Sequence, residues 1–337
     1  MTLSFTAPTT PVRIDHYSAV HLAADIARSV ATECGLPGAI PDQAAVVASE
    51  LASNIDKHAS DGVLYIQPMP LGGGMEIIAA DHGPGMPELQ LCLTDGYSTT
   101  KTLGAGLGAV KRIATAFMID TRPGIGTLVC ARLTPPGSPH AGRQDVGLVC
   151  LPTEDEEHCG DAAAVMDTGS ARTGAIIDGL GHGPDAAEAA QTALRSFRTT
   201  AERPLPDIVT AMHRALRHTR GAAVGLVRLH DERAEYCGIG NVRMVALSPG
   251  AVHHRLTGQP GVVGWRLPAP RTHRLPLPVE AAVVMHSDGI DLRWAHTPAD
   301  FLLRLPIPLL AAAISHRHRH VRDDAAVLAA SPQPRNP

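Results

Sequence analysis

Thr173-Gly-Ala-Ile-Ile-Asp178-Gly-Leu-Gly-His-Gly183 is the stretch on which the reading of this chain turns. The apolar, β-branched run predicts a strand over residues 173–178, closed by a carboxylate and a glycine-rich turn. An acid at a strand end beside glycine suits cation coordination better than solvation. Three more segments repeat that placement: Cys159-Gly160-Asp161, Ser287-Asp288-Gly289 and Arg322-Asp323-Asp324. Each alone is an ordinary turn. Together they offer the all-oxygen set that hard divalent cations require, and carboxylates from distant segments can hold a pair of metals. A water between such metals is a nucleophile near neutral pH. No His or Cys nucleophile is needed, and His182 reads as a loop histidine. The acidic run Glu154-Asp155-Glu156-Glu157 reads as a solvated loop, and His316-Arg-His-Arg-His320 as an exposed basic helix end.

Around this stretch, β-like runs at 147–152 and 162–166 precede helical periodicity at 184–199 and 207–219. Strands are expected at 222–229, 233–238, 243–247 and 281–286, then a helix near 308–316 and a last strand at 325–328. The pattern predicts a β-sandwich flanked by helices. Upstream, Thr134-Pro-Pro-Gly-Ser-Pro-His-Ala-Gly-Arg-Gln144 breaks the composition and marks a linker at 134–144. A chain of 337 residues is long enough for two domains. The expected arrangement is one domain over residues 12–133 and a second over 145–330.

Composition narrows the function. Aromatics make up 3% of residues, too few for base-stacking platforms, and a net charge of -4 provides no broad basic field. Nucleic acid and membrane surfaces are therefore not expected partners. The six cysteines form no CxxC pair and read as buried, reduced thiols. There is no signal-peptide pattern and no apolar stretch of about 18 residues. The expectation is a cytoplasmic protein.

The first domain is read as helices over one sheet: helices at 18–34, 42–59 and 106–117, strands at 63–68 and 75–80, and a hairpin over 118–133. Four segments carry its chemistry. Glu50-Leu-Ala-Ser-Asn54 puts an acid and an amide on one helix face, able to polarise a nucleophile and to hold Mg²⁺. Asp81-His-Gly83-Pro-Gly85 follows a strand, and its carboxylate could accept a hydrogen bond from an exocyclic amine. The run from Gly96 through Gly104, Gly106 and Gly108 opens a helix, the geometry of an anion cradle. It lacks GxxxxGK[ST], which excludes a P-loop. Gly124-Ile-Gly126-Thr127 closes the set, with a hydroxyl able to reach a base or its bound water.

In this order and spacing the four segments resemble the GHKL-type ATPases, from about residue 12 to 133. The match is closest to the RsbT-like group of switch-type serine kinases. The resemblance implies an α/β sandwich of the Bergerat type, with Glu50 as general base, Asn54 as Mg²⁺ ligand and Asp81 as adenine reader. Gly83, Gly85 and Thr127 would line the base pocket, and Gly104, Gly106 and Gly108 the phosphates of ATP. Lys101 departs from the small residues expected there, and either reaches the terminal phosphate or is solvated.

The four acidic motifs resemble the metal-dependent serine phosphatases of type 2C, in their SpoIIE-like branch, and the short DGLG-containing domain is similar to the RsbX-type enzymes. An αββα sandwich is implied, with two Mn²⁺ or Mg²⁺ ions. Asp178 would bridge them beside the Gly179 carbonyl, with Asp161, Asp288 and Asp323 as further ligands and Asp324 the less favoured neighbour. The whole chain then reads as α+β and as a bifunctional partner-switching regulator, a serine kinase joined to a phosphoserine phosphatase. Its expected partner is a STAS-type anti-sigma-antagonist or a stressosome-type scaffold, with a sigma factor or a downstream phosphatase as further candidates. The alternative is a phosphatase whose first domain is a nucleotide-gated, anti-sigma-like binding module without kinase activity. No arginine stands out as a clamp for the substrate phosphate.

Overall fold

The structure, a computed structural model, describes residues 9–92, 106–154, 156–169 and 171–333. Lys101 and Gly104 lie outside the described residues. The chain divides into two compact units, Met1–Arg143 and Gln144–Pro337. The stretch 134–143 belongs to the first unit, where the Ser138 hydroxyl donates to the Gly73 carbonyl at 3.3 Å.

The first unit runs β1 (Thr10–Ile14), α1 (Ser18–Glu33), α2 (Ile40–His58), β2 (Gly62–Pro68), β3 (Met75–Ala80), α3 (Leu89–Cys92), α4 (Gly106–Ile113), β4 (Ala116–Arg122) and β5 (Gly126–Leu133). Its sheet has the order β1-β2-β3-β5-β4, antiparallel throughout. Alanine makes the helix pair possible. Ala23, Ala27 and Ala31 on α1 and Ala44, Ala48 and Ala52 on α2 are fully buried, so the helices pack closely on each other and on Leu64, Ile66, Ile77 and Val129. The helix expected over 106–117 stops at Ile113. Thr115 is taken by the sheet instead, its N–H and hydroxyl both donating to the Arg132 carbonyl, and β-favouring Phe117, Met118 and Ile119 pair along β5. Strand β1 was not expected. It is a short edge strand starting at Thr10-Pro11, where proline costs no ladder bond on the open side.

The second unit runs β6 (Val146–Leu151), β7 (Asp161–Thr168), β8 (Ala171–Gly179), α5 (Pro184–Thr200), α6 (Leu205–Ala215), β9 (Ala222–His230), β10 (Arg233–Ile239), β11 (Arg243–Ser248), β12 (Ala251–Thr257), β13 (His273–Pro276), β14 (Ala282–His286), α7 (Arg293–His296), α8 (Ile307–His318) and β15 (Ala325–Ala330). Two five-stranded sheets form, β13-β10-β9-β8-β7 and β12-β11-β14-β15-β6. Helices α5 and α6 cover the first and α8 the second, giving a helix–sheet–sheet–helix stack within a mixed α/β protein. The face of α5 that does this is Ala186, Ala189, Ala190, Ala193, Leu194 and Phe197, all buried. Polar edge strands β12 and β13 escaped the sequence reading because none of their residues is buried.

Arg172, at 0% exposure, ties the unit's ends together. Its guanidinium pairs with Asp145 at 2.7 Å and Asp167 at 2.8 Å and donates to the Ser331 carbonyl. The basic run at the end of α8 is less exposed than expected. His316, Arg317 and His318 are half-buried, and Arg317 stacks over Phe301 at 5.3 Å. Among the described residues, five cysteines are free thiols, and no helix is long and apolar enough to cross a membrane.

Candidate functional site

In the first unit, α2 presents Glu50 and Asn54 one turn apart, both half-buried. The Gly106 N–H donates to Glu50 Oε2 at 3.1 Å. Gly106 opens α4 with φ of 62°, so the carboxylate caps the positive end of that helix. Gly108 is buried one half-turn further on.

Asp81 leaves the end of β3 and is 8% exposed. Its Oδ1 accepts the N–H groups of Gly83 at 2.8 Å and Thr127 at 3.2 Å, and its own N–H donates to the Thr127 carbonyl at 3.1 Å. Two glycines allow this close meeting of β3 with the β4–β5 hairpin. A Cβ on Gly126, where φ is 131°, would lie 2.0 Å from the Asp81 carbonyl oxygen, and one on Gly85 would lie 2.4 Å from that of Arg122. The Thr127 hydroxyl shares a hydrogen bond of 3.0 Å with that of Thr121. The structure thus joins Asp81, Gly83, Gly85 and Thr127 in one group, and Glu50 with Gly106 in another.

In the second unit the acidic motifs converge on one end of the sandwich. Asp161 and Asp178 are direct cross-strand partners on β7 and β8, a pairing of like charges that costs stability. From the other sheet come Ser287 and Asp288, after β14, and Asp323 and Asp324, before β15. The Ser287 hydroxyl donates to Asp161 Oδ2 at 2.6 Å and accepts the Ala326 N–H at 2.9 Å, bridging the two sheets at the acids. Backbones pass so closely that only glycine fits. A Cβ on Gly179 would sit 2.2 Å from the Ala186 carbonyl oxygen, and one on Gly289 would sit 1.9 Å from that of Asp324.

Electrostatics mark the same place. Burial and then the Asp178 charge hold the Asp161 carboxyl well above the usual carboxylate range. Asp178 is pushed up to about 8 by burial, then by Asp288. Asp323 is raised by burial and by Asp288. Asp324 differs in kind: its two oxygens accept the N–H groups of Thr153 and Gly160, each at 2.9 Å, so it fastens loops. His286, fully buried beside Trp294, is lowered to about 4 by burial and stays neutral. His182 is 79% exposed and meets Glu156 at 3.2 Å, a loop contact remote from any need for a buried acid.

Among the described residues, no three His, Cys, Asp or Glu side chains stand close enough to hold one ion between them. The acids meet in pairs instead. Their chemistry nevertheless fits a hard divalent cation, because the donors are all oxygen and their mutual repulsion is the strain a cation relieves. Sequence reasoning missed Asn241, in the turn between β10 and β11, which donates from Nδ2 to Asp288 Oδ2 at 2.6 Å and whose amide also favours the ionised form of the nearby Asp178 carboxyl. A lone Asn after glycine in Gly238-Ile-Gly-Asn241 gives only a turn signal.

Comparison with known proteins gives two kinds of match. The model of the family described as Stage II sporulation protein E (SpoIIE) matches residues 172–333. The chain is 41% identical over 113 residues to the serine/threonine-protein kinase RsbT of Bacillus subtilis, a match covering 32% of this chain and 84% of that one. It is 24% identical over 144 residues to the phosphoserine phosphatase RsbX of the same organism, covering 42% of this chain and 72% of the relative. A solved structure described with the words "The bacterial stressosome: a modular system that has been adapted to control secondary messenger signaling" aligns with a TM-score of 0.51 and 30% identity, over 55% of this chain and 98% of that one.

Proposed function

The chain belongs to the family of the serine/threonine-protein kinase RsbT and carries a SpoIIE-type phosphatase domain at its C-terminal end, and from that premise we propose a bifunctional partner-switching regulator. Residues 12–133 are the ATP-binding, serine-kinase-like module of GHKL type, 134–144 the linker, and 145–330 the phosphoserine phosphatase. The observation that carries the phosphatase half is the convergence of Asp161, Asp178, Asp288 and Asp323 from both sheets, with their like charges repelling and two glycines cleared for backbone contact.

Asp178 with the Gly179 carbonyl, Asp161, Asp288 and Asp323 would hold two Mn²⁺ or Mg²⁺ ions. When bound, these ions supply charge for the phosphate oxygens and an acidified water. The chain's own residues prepare that binding. Ser287 orients Asp161, the cross-strand register sets Asp161 against Asp178, and Asp324 ties Thr153 and Gly160 beside them. In the net reaction water adds its oxygen to phosphorus, the P–O bond to serine breaks, and the serine oxygen leaves with a proton. The substrate is a phosphoserine on a STAS-type anti-sigma-antagonist or a stressosome-type scaffold, in a cytoplasmic setting.

For the first module, Glu50 is the base, Asn54 the Mg²⁺ ligand and Asp81 the adenine reader, with Gly83, Gly85 and Thr127 around the base and Gly104, Gly106 and Gly108 around the phosphates. The 41% identity to RsbT supports this reading, given that the SpoIIE match leaves residues 1–171 uncovered. One observation favours a nucleotide-gated binding module instead: the Glu50 carboxylate accepts the Gly106 amide, the contact of a helix cap and not of a base.

The full chain with Mn²⁺ is expected to release inorganic phosphate from a phosphoserine peptide and to stop when EDTA is added. Phosphate release that persists undiminished in EDTA, or none at any Mn²⁺ concentration, overturns the phosphatase assignment.

A further inference from the structure

Asn241 occupies a place that a turn residue without a task would not need. It lies between Ile239, the last residue of β10, and Arg243, the first of β11, and that turn is braced from three sides. The Gly240 N–H donates to the Gln259 carbonyl at 2.8 Å, and the Gly258 N–H donates to the Val242 carbonyl at 3.2 Å. The hydroxyl of Tyr236, itself at 0% exposure, donates to the same Val242 carbonyl at 2.7 Å. Gly240 has φ of 91°, and a Cβ on it would meet that of Ala223 at 2.5 Å, so the backbone is pressed against the strand beside Asp178. Everything around Asn241 fixes where its short side chain points.

It points at two carboxylates. Nδ2 donates to Asp288 Oδ2 at 2.6 Å, and the Asp178 carboxyl stands near enough for the same amide to favour its ionised form. Asp178 comes from one sheet and Asp288 from the other, so one amide spans the seam of the sandwich where like charges face each other. The second amide atom, Oδ1, is buried with no hydrogen-bond partner among the described residues. A buried amide oxygen left in this state costs free energy unless a donor or a cation takes it up, and an ion held by the flanking carboxylates, or a water on that ion, would do so.

We infer that Asn241 is a positioning residue for cation binding: its NH2 group sets Asp178 and Asp288 side by side, and its unpartnered oxygen faces the divalent ion or that ion's water. This rests on the phosphatase reading above and extends it to a residue outside the four acidic motifs. The Nδ2 contact offsets carboxylate repulsion before the ion arrives, and the ion then finds two acids already in register. Partners that orient metal ligands are worth about 10- to 100-fold in metal affinity.

The test is Mn²⁺ binding by the full-length protein, followed calorimetrically, together with the melting temperature of the metal-free protein. Asn241→Ala is expected to weaken Mn²⁺ binding about 10- to 100-fold. Asn241→Asp keeps the shape but replaces the donor with a further charge. It is expected to lower the metal-free melting temperature and to make Mn²⁺ affinity fall more steeply as pH is lowered than in the wild type. A residue that serves the turn alone would shift melting and leave Mn²⁺ affinity unchanged, so an Asn241→Ala dissociation constant within about twofold of wild type overturns the inference. If the wild type itself binds no Mn²⁺ and hydrolyses no phosphoserine peptide, the phosphatase reading falls and the inference falls with it. Wild-type binding with an unaffected Asn241→Ala variant removes the inference alone.

Discussion

Asp178→Asn is expected to lower kcat/KM for a phosphoserine peptide by on the order of 10³-fold, about 4 kcal/mol of transition-state stabilisation at about 1.4 kcal/mol per decade. Asp178 is the acid that meets the other three: Asp161 across the β7–β8 register, and the charges of Asp288 and Asp323 across the seam of the sandwich. Neutralising it removes the bridging charge while Asn preserves shape, so loss of activity will not reflect loss of fold. Stability should move the other way. The Asp178 carboxyl rises from an ordinary 3.8 to about 8 in the folded chain. Its folded value lies above the unfolded one, so the unfolded state ionises first, and the carboxyl destabilises the metal-free fold increasingly as pH climbs through that window. Asp178→Asn should therefore raise the metal-free melting temperature, more at pH 8 than at pH 5. A variant that hydrolyses the peptide at the wild-type rate would remove Asp178 from the site.

Asp81→Asn is expected to weaken ATP binding by about 100-fold or more, read by calorimetric titration. A site built around one acceptor for a ligand amine loses heavily when a donor faces that amine instead. The local fold should survive, since the Asn side-chain oxygen can still accept the Gly83 and Thr127 N–H groups that now meet Oδ1. Melting within a few degrees of wild type, with ATP affinity lost, would place Asp81 at the base. Unchanged ATP affinity would mean that Asp81 only fastens β3 to the β4–β5 hairpin.

How far the sequence could be read depended on whether a signal was local. The helix faces built from Ala23, Ala27 and Ala31, and from Ala189, Ala190 and Ala193, repeat at helical spacing and were legible. The strand ends carrying Asp161, Asp178 and Asp288 were legible because acid beside glycine is a local pattern. Edge strand β13 was not, since its partner β10 lies far back along the chain, and neither was β12, which pairs with the neighbouring β11 but buries none of its residues. The helix after Gly106 was drawn too long because pairing with β5 outweighs helical propensity at Thr115 and Phe117. Choosing between Asp323 and Asp324 required the loop contacts to Thr153 and Gly160, 171 and 164 positions away from Asp324. Asn241 was invisible for the same reason, its partner Asp288 lying 47 positions on.

The kinase and phosphatase modules of one chain are expected to act in opposition on one partner serine. The measurement is transfer of label from γ-labelled ATP and Mg²⁺ to a STAS-domain partner by full-length Asp178→Asn, compared with the Asp178→Asn, Glu50→Ala double variant. Label should accumulate on serine with the single variant, be removed when wild-type protein and Mn²⁺ are added, and be absent with the double variant. An Asp178→Asn protein that binds ATP but leaves every such partner unlabelled would contradict the kinase half and leave a nucleotide-binding module joined to a phosphatase.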